Sequence, residues 1–191
     1  MTTFNSKREN VFHYLTFVTF QRVPIFKSEA ICQLFIDSLK ETREAFPFKL
    51  LAYIIMLDHV HLIVNPASCD IEKVGKTLKG KSAKKILDWL RTNGQIESLA
   101  KLKRIYPKKR NHSFSVWQAG VKSVDLESHK FVQQKTNYTH MNPVRSGLCD
   151  HPADWRWSSY RAYFPHKSSE VPIEIDWRTY WQSHDGHRPS A

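Results

Sequence analysis

Cysteine is scarce in this chain: Cys32, Cys69 and Cys149 are the only three in 191 residues, and no two form a CxxC pair. An odd, scattered set excludes a disulfide framework and offers no structural zinc knuckle, so reduced and mostly packed thiols are expected. Long apolar runs are missing too. No segment approaches the roughly eighteen apolar residues that a membrane span needs. The first ten residues are polar and carry Lys7, Arg8 and Glu9, unlike a signal peptide. The expectation is a cytoplasmic protein with no membrane partner. Internal repeats and low-complexity linkers are absent as well. Acidic residues are few, 18 Asp and Glu against 29 Lys and Arg, which leaves a net charge of +11.

The positive charge is concentrated. Residues 70 to 112 hold thirteen Lys and Arg against four acids, nine of the eleven net charges in less than a quarter of the chain. Such a density attracts polyphosphates by counterion release. The bland alternative is a solvated helix face followed by a charged loop. Apolar content is 41%, enough for one domain with a core.

Val11 to Phe20 (VFHYLTFVTF) is rich in β-branched and aromatic residues and reads as a central strand, apolar on both faces. From Ser28 onwards Ile31, Leu34, Phe35 and Leu39 recur at helical spacing, and Pro47 ends the pattern. Leu51 to Met56 is a continuous apolar run, Leu57-Asp58 a turn, and Val60 to Val64 a further strand closed by Asn65-Pro66. A basic helix is predicted over Ile71 to Arg91, with Lys73, Lys76 and Lys84 opposite its apolar side, although Gly75 and Gly80 count against it. Thr92 to Ser113 reads as a loop and Phe114 to Trp117 as a short strand. Asp125 or Ser123 is expected to cap a last helix, and Asn142-Pro143 to end it. This order of elements predicts an α+β fold: an antiparallel sheet with helices packed on one face, of ferredoxin-like type. Residues 1–165 are expected to form one domain, and 166–191 a partly flexible extension.

Two constellations carry chemistry. In His59-Val60-His61 the histidines are two apart, so on a strand they share a face and can converge on one metal ion, while Val60, Leu62 and Val64 pack the other way. Two hydrogen-bonded surface histidines would look the same. Tyr138 and Asn142 are four apart and share a helix face. Asn142 can offer an amide oxygen to a hard cation, and Lys135 can act on the phenol or on a phosphate. A tyrosine at a helix end is also a common packing element. Candidate phosphate contacts are Lys73, Lys76, Lys84, Lys101, Lys103, Arg104, Lys108, Lys109, Arg110 and Lys135. Trp155, Trp157, Tyr160 and Tyr163 could stack bases, although core packing suits them too.

The segment MLDHVHLIVNP (Met56 to Pro66) resembles the histidine-hydrophobic-histidine signature of single-tyrosine transposases. YTHMNPVRSGL (Tyr138 to Leu148) and WRWSSYRAY (Trp155 to Tyr163) are similar to the REP-associated tyrosine transposases of the IS200-like superfamily. Val116-Trp117-Gln118 also fits that pattern. Leu57-Asp58 stands where many relatives have Pro-Asn, and Ala119-Gly120-Val121 replaces the usual aromatic and basic residues. The resemblance implies that His59, His61 and Asn142 hold a divalent metal, Mg2+ or Mn2+, and that Tyr138 is the nucleophile. It further implies cleavage and rejoining of single-stranded or hairpin DNA through a 5′-phosphotyrosine, by a monomer or a homodimer.

Three other readings compete. An RRM-type binding module lacks its aromatic motif here. A histidine-triad hydrolase needs a third alternating histidine where Ile63 stands. A catalytically silent, domesticated DNA-binding relative would keep the same apparent site.

Overall fold

A computed structural model describes residues 11–66, 70–104, 113–164 and 171–177. Four strands form one antiparallel sheet: β1 (Phe12–Val18), β2 (Lys49–Ile55), β3 (His59–Asn65) and β4 (Lys122–Leu126), in the order β2-β3-β1-β4. Three long helices accompany it: α1 (Glu29–Ala45), α2 (Ile71–Thr92) and α4 (His129–Arg145). The short α3 (Ile96–Lys101) and α5 (Tyr160–Tyr163) complete the α-helices among the described residues, beside short 3-10 turns such as Phe20–Arg22 and Ile25–Lys27. This is the α+β antiparallel class that the sequence pattern predicts.

The β1–β3 register pairs Leu15 with Leu62 and Phe17 with Val60, and pairs Thr16 with His61 and Val18 with His59. Side chains alternate along a strand, so the two sets face opposite ways. On the first face α1 and α2 pack around Trp117. Its ring lies 5.9 Å from Phe17, 5.7 Å from Phe26 and 5.8 Å from Phe35, and its indole N–H donates to Ser82 Oγ of α2 at 3.1 Å. On the second face lies α4, whose Tyr138 meets the rings of Tyr14 and His61. The histidine-bearing face therefore has its own helix, so helices lie on both faces of the sheet and not on one as the sequence predicts.

Several local expectations change. Phe114 to Trp117 makes only isolated bridges, Lys103 with Phe114 and Thr19 with Trp117. The fourth strand is β4, and it contains Ser123 and Asp125, the two residues expected to cap a helix. Asp125 instead pairs with the buried His13 across the sheet at 2.9 Å. The cap of α4 is Ser128, whose side chain accepts from Phe131 N–H. Nor does Pro143 end α4. Proline removes one N–H, yet the next turn closes on Gly147 (φ 65°), with Leu148 N–H donating to Pro143 O and Gly147 N–H to Val144 O. That is a Schellman stop, and the left-handed glycine makes it. The expected loop from Thr92 contains α3, anchored by buried Leu102 and braced by an ion pair from Lys101 to Glu97.

Gly75 and Gly80 do not break α2, which is capped by Asp70. A Cβ at Gly75 would stand 2.7 Å from Val121 Cγ1, so the glycine lets the strand-entering loop lie directly on the helix. Lys79 fixes the same loop from beside it, donating to the carbonyls of Gln118 and Gly120. Burial pushes its amine down to about 8. The outer edge of β2 is covered by the C-terminal part: Ile55 N–H donates to Trp157 O, Ser159 N–H to Tyr53 O, and Asp176 N–H to Leu50 O. Ile173, Ile175 and Trp177 are buried there, with Trp177 stacked on Tyr163 at 5.4 Å. Residues 171–177 are thus part of the core, well beyond residue 165.

Candidate active site

Strand β3 sets the histidines. With Val60 and Leu62 in the core, His59 and His61 must both turn to the other face, and their rings stand 4.9 Å apart. His59 is held from behind. Its Nδ1 lies 2.6 Å from Asp58 Oδ1, while Arg22 Nη1 donates to Asp58 Oδ2 at 2.9 Å. Burial opposes ionisation of Asp58, but the hydrogen bonds from His59 and Arg22 outweigh it and hold the carboxyl below its usual value. A carboxylate can only accept, so Nδ1 of His59 carries a proton towards Asp58. This carboxylate–histidine pairing orients metal-binding imidazoles elsewhere.

The Asp58 turn is itself clamped. Thr19 donates to Asp58 O through both its N–H and its hydroxyl, each at 2.9 Å, and Phe26 N–H donates to Leu57 O. Arg22 reaches Asp58 from a left-handed conformation (φ 56°), next to Gln21 at φ 52°. Such backbone costs about 1–2 kcal/mol per residue, and the surrounding hydrogen bonds hold it in place.

His61 is buried, 6% exposed. Its Nδ1 lies 3.0 Å from Thr16 Oγ1, and its ring stacks on Tyr14 at 4.9 Å. Burial, then the charges of His59 and Lys135, push its pKa down to about 3. The imidazole is therefore neutral at physiological pH, the form a metal requires.

Tyr138 comes from α4. It is 40% exposed, which removes it from the core. Its ring stands 6.0 Å from His61 and 6.5 Å from Tyr14. Lys135 Nζ lies 5.6 Å and Arg145 Cζ 5.1 Å from the same ring centre. Asn142 follows one turn later and is 8% exposed. Among the described residues, no three His, Cys, Asp or Glu side chains gather as a metal cage. A cation at the histidine pair would use the two Nε2 atoms and neutral oxygen donors such as the Asn142 amide. That donor set fits a divalent ion still open to substrate.

The predicted phosphate contacts are dispersed. Lys135 joins the tyrosine. Lys73, Lys76 and Lys84 lie on α2, against the opposite face of the sheet. Lys76 pairs with Glu72 at 2.6 Å and Lys73 sits 5.1 Å over the Phe46 ring. Lys101 pairs with Glu97, whereas Lys103 and Arg104 bracket the bridge to residues 113–114. Lys108, Lys109 and Arg110 fall outside the described residues. Trp157, Tyr160 and Tyr163 are buried, and Trp155 donates its indole N–H to Ile55 O, so these aromatics pack. Sequence reasoning passed over Tyr14, Thr16, Arg22, Asp58 and Arg145. The alternation of β1 was the available signal for the first two. Asp58 adjoins the first histidine, and Arg145 lies within YTHMNPVRSGL.

No curated protein matches the chain. Among solved structures, the chain resembles a REP-associated tyrosine transposase bound to a REP hairpin. That match has TM-score 0.64 and 15% identity, and covers 93% of each chain; at this identity the likeness is one of fold. A candidate transposase from Deinococcus radiodurans R1 is more distant, with TM-score 0.46 and 17% identity over 72% of this chain and 95% of that one. Among the described residues no helix is long and apolar enough to cross a membrane. The model of the family described as "Transposase IS200 like" matches residues 8–138, most of the chain and up to the exposed tyrosine, and the protein belongs to this IS200-like transposase family.

Proposed function

We propose that this protein cuts and rejoins single-stranded DNA, recognised through hairpin-forming sequence, with Tyr138 as nucleophile and a divalent metal, Mg2+ or Mn2+, at His59, His61 and Asn142. One observation carries the reading: an exposed tyrosine on α4 stands 6.0 Å, ring to ring, from a buried neutral histidine whose neighbour His59 has its Nδ1 bound to a carboxylate. The bound metal supplies polarisation of the scissile phosphate.

The chain's own groups do the rest. Asp58 and Thr16 fix the two imidazoles, and the α4 backbone fixes the phenol at the same centre. Pre-set geometry of this kind lowers the entropic part of a barrier. Tyr138 Oη attacks phosphorus as it loses its proton. The P–O3′ bond breaks, the 3′ oxygen gains a proton, and the 5′ phosphate stays on the tyrosine. One phosphodiester is exchanged for another, so rejoining by the 3′-OH needs no ATP. The family fit and a fold shared with a hairpin-bound transposase support the substrate class.

The test is adduct formation. With hairpin-bearing single-stranded DNA and Mn2+, the wild-type protein is expected to form a denaturant-resistant protein–DNA adduct. Tyr138→Phe is expected to keep its fold and DNA binding while losing the adduct entirely. A Phe variant that still forms it moves the nucleophile elsewhere. A wild-type protein that binds DNA but never forms it is the silent binding relative.

A further inference from the structure

The cations of this protein are treated unequally. Around α1, α2 and α3, Lys76 pairs with Glu72, Lys81 and Lys85 with Glu41, Arg91 with Asp88 and Lys101 with Glu97. On α4, Lys135 and Arg145 both lie over the Tyr138 ring, 5.6 and 5.1 Å from its centre. Among the described residues neither is within ion-pair distance of a carboxylate. Two like charges gathered on one phenol repel each other, and each ring contact returns only about 0.5–1 kcal/mol at an exposed site. An anion placed between them would relieve the repulsion.

A second observation points to the same spot. Tyr14 is 6% exposed and its hydroxyl has no hydrogen-bond partner. Thr139, whose hydroxyl donates to Lys135 O at 2.8 Å, is near enough to temper the effect of burial on that phenol, but no hydrogen bond closes on the Tyr14 hydroxyl. Lys135 Nζ also lies 5.0 Å over the Tyr14 ring. A buried hydroxyl without an acceptor costs about 1–3 kcal/mol, and a ligand oxygen would recover that.

We propose that Arg145, Lys135 and the Tyr14 hydroxyl form a clamp for one phosphodiester group beside the Tyr138 hydroxyl, with Arg145 as its principal donor. Arginine suits the role because its planar fork can grip two phosphate oxygens at once. After attack, the same cations stand beside the phosphate now carried on the tyrosine. The inference rests on the DNA-cleaving role proposed above, but its test is read without metal and without cleavage, so a missing adduct and a missing clamp are separate results.

The probe is a short oligothymidylate titrated into metal-free protein in EDTA, followed by the NMR signals of ring-labelled tyrosines. The expected result is movement of the Tyr138 and Tyr14 signals in the wild type. Arg145→Gln should weaken the affinity about tenfold, or ~1.4 kcal/mol, and Arg145→Lys less, with Lys135→Gln falling between. An affinity unchanged in Arg145→Gln overturns the clamp. So does a lowered melting temperature with unchanged affinity, because it would assign Arg145 to the C-terminal dipole of α4 alone. Oligothymidylate that leaves Tyr138 and Tyr14 unmoved in the wild type overturns it as well.

Discussion

The two faces of the sheet are built on opposite terms. Beneath α1 and α2 the contacts are aromatic and aliphatic, Trp117 is ringed by Phe17, Phe26 and Phe35, and its one polar atom is bonded to Ser82. Beneath α4 lie His59, His61 and Tyr14, and the buried stripe of the helix adds Thr136; the hydroxyls of Tyr14 and Thr136 lack a partner, and on the α1–α2 face so does that of Tyr53, which lies across from Leu62. Buried polar groups without partners are uncommon in native proteins. One face is thus arranged for stability. The other carries the imidazoles, hydroxyls and cations that the proposed chemistry would use.

The sharpest way to test that division is to damage the stable face. Trp117→Ala should cost about 3–5 kcal/mol of unfolding free energy, read by urea denaturation. A loss below ~1 kcal/mol would mean that the two faces share the work of stability more evenly than their composition suggests.

Acid should act on the other face. His61 and His140 are both buried, and burial pushes each down to about 3. The unfolded chain takes up these protons near pH 6.5, whereas the folded protein resists until about pH 3. Their contribution is therefore fully present above pH 6.5 and is lost as pH falls from 6.5 towards 3, by up to ~1.4 kcal/mol per histidine per pH unit. In EDTA, urea midpoints should drop between pH 7.5 and 5. His140→Gln, which keeps an amide for Ser159, should flatten that slope. A midpoint flat across this range would show that neither histidine is held neutral.

The smallest effect on stability should come with a clear effect on the site. Asp58→Ala removes the acceptor behind His59 and should weaken Mn2+ binding roughly 10–100-fold, measured by electron paramagnetic resonance, while melting changes little. Unchanged Mn2+ affinity would reduce the Arg22–Asp58–His59 chain to a turn brace.

Much of this was legible in the chain. The β-branched, aromatic and continuously apolar runs gave β1, β2 and β3 to within a residue or two, and spacing put both histidines on one face. The basic helix survived its two glycines because Gly75 serves a close approach to Val121, a reason that only packing supplies. β4 escaped notice because Lys122–Leu126 is half-buried and mixes charge with apolar residues, so its pairing with β1 defines it rather than its composition. The end of α4 was misplaced because a proline penalty is local, while the Schellman stop five residues further on depends on Gly147.

The amino-acid sequence by itself determined the α+β class, the paired histidines, the shared helix face of Tyr138 and Asn142, and the excess of positive charge. Each follows from composition or from a short spacing, and needs no knowledge of what is distant in the chain. The tertiary structure alone decided that α4 covers the histidine face and α2 the other. It also decided that Tyr14 and Arg145 stand beside Tyr138, and that the lysines of α2 do not. Those facts depend on residues as distant as Tyr14 and Tyr138, or His61 and Tyr138, being brought together by one sheet, and no local pattern carries that information.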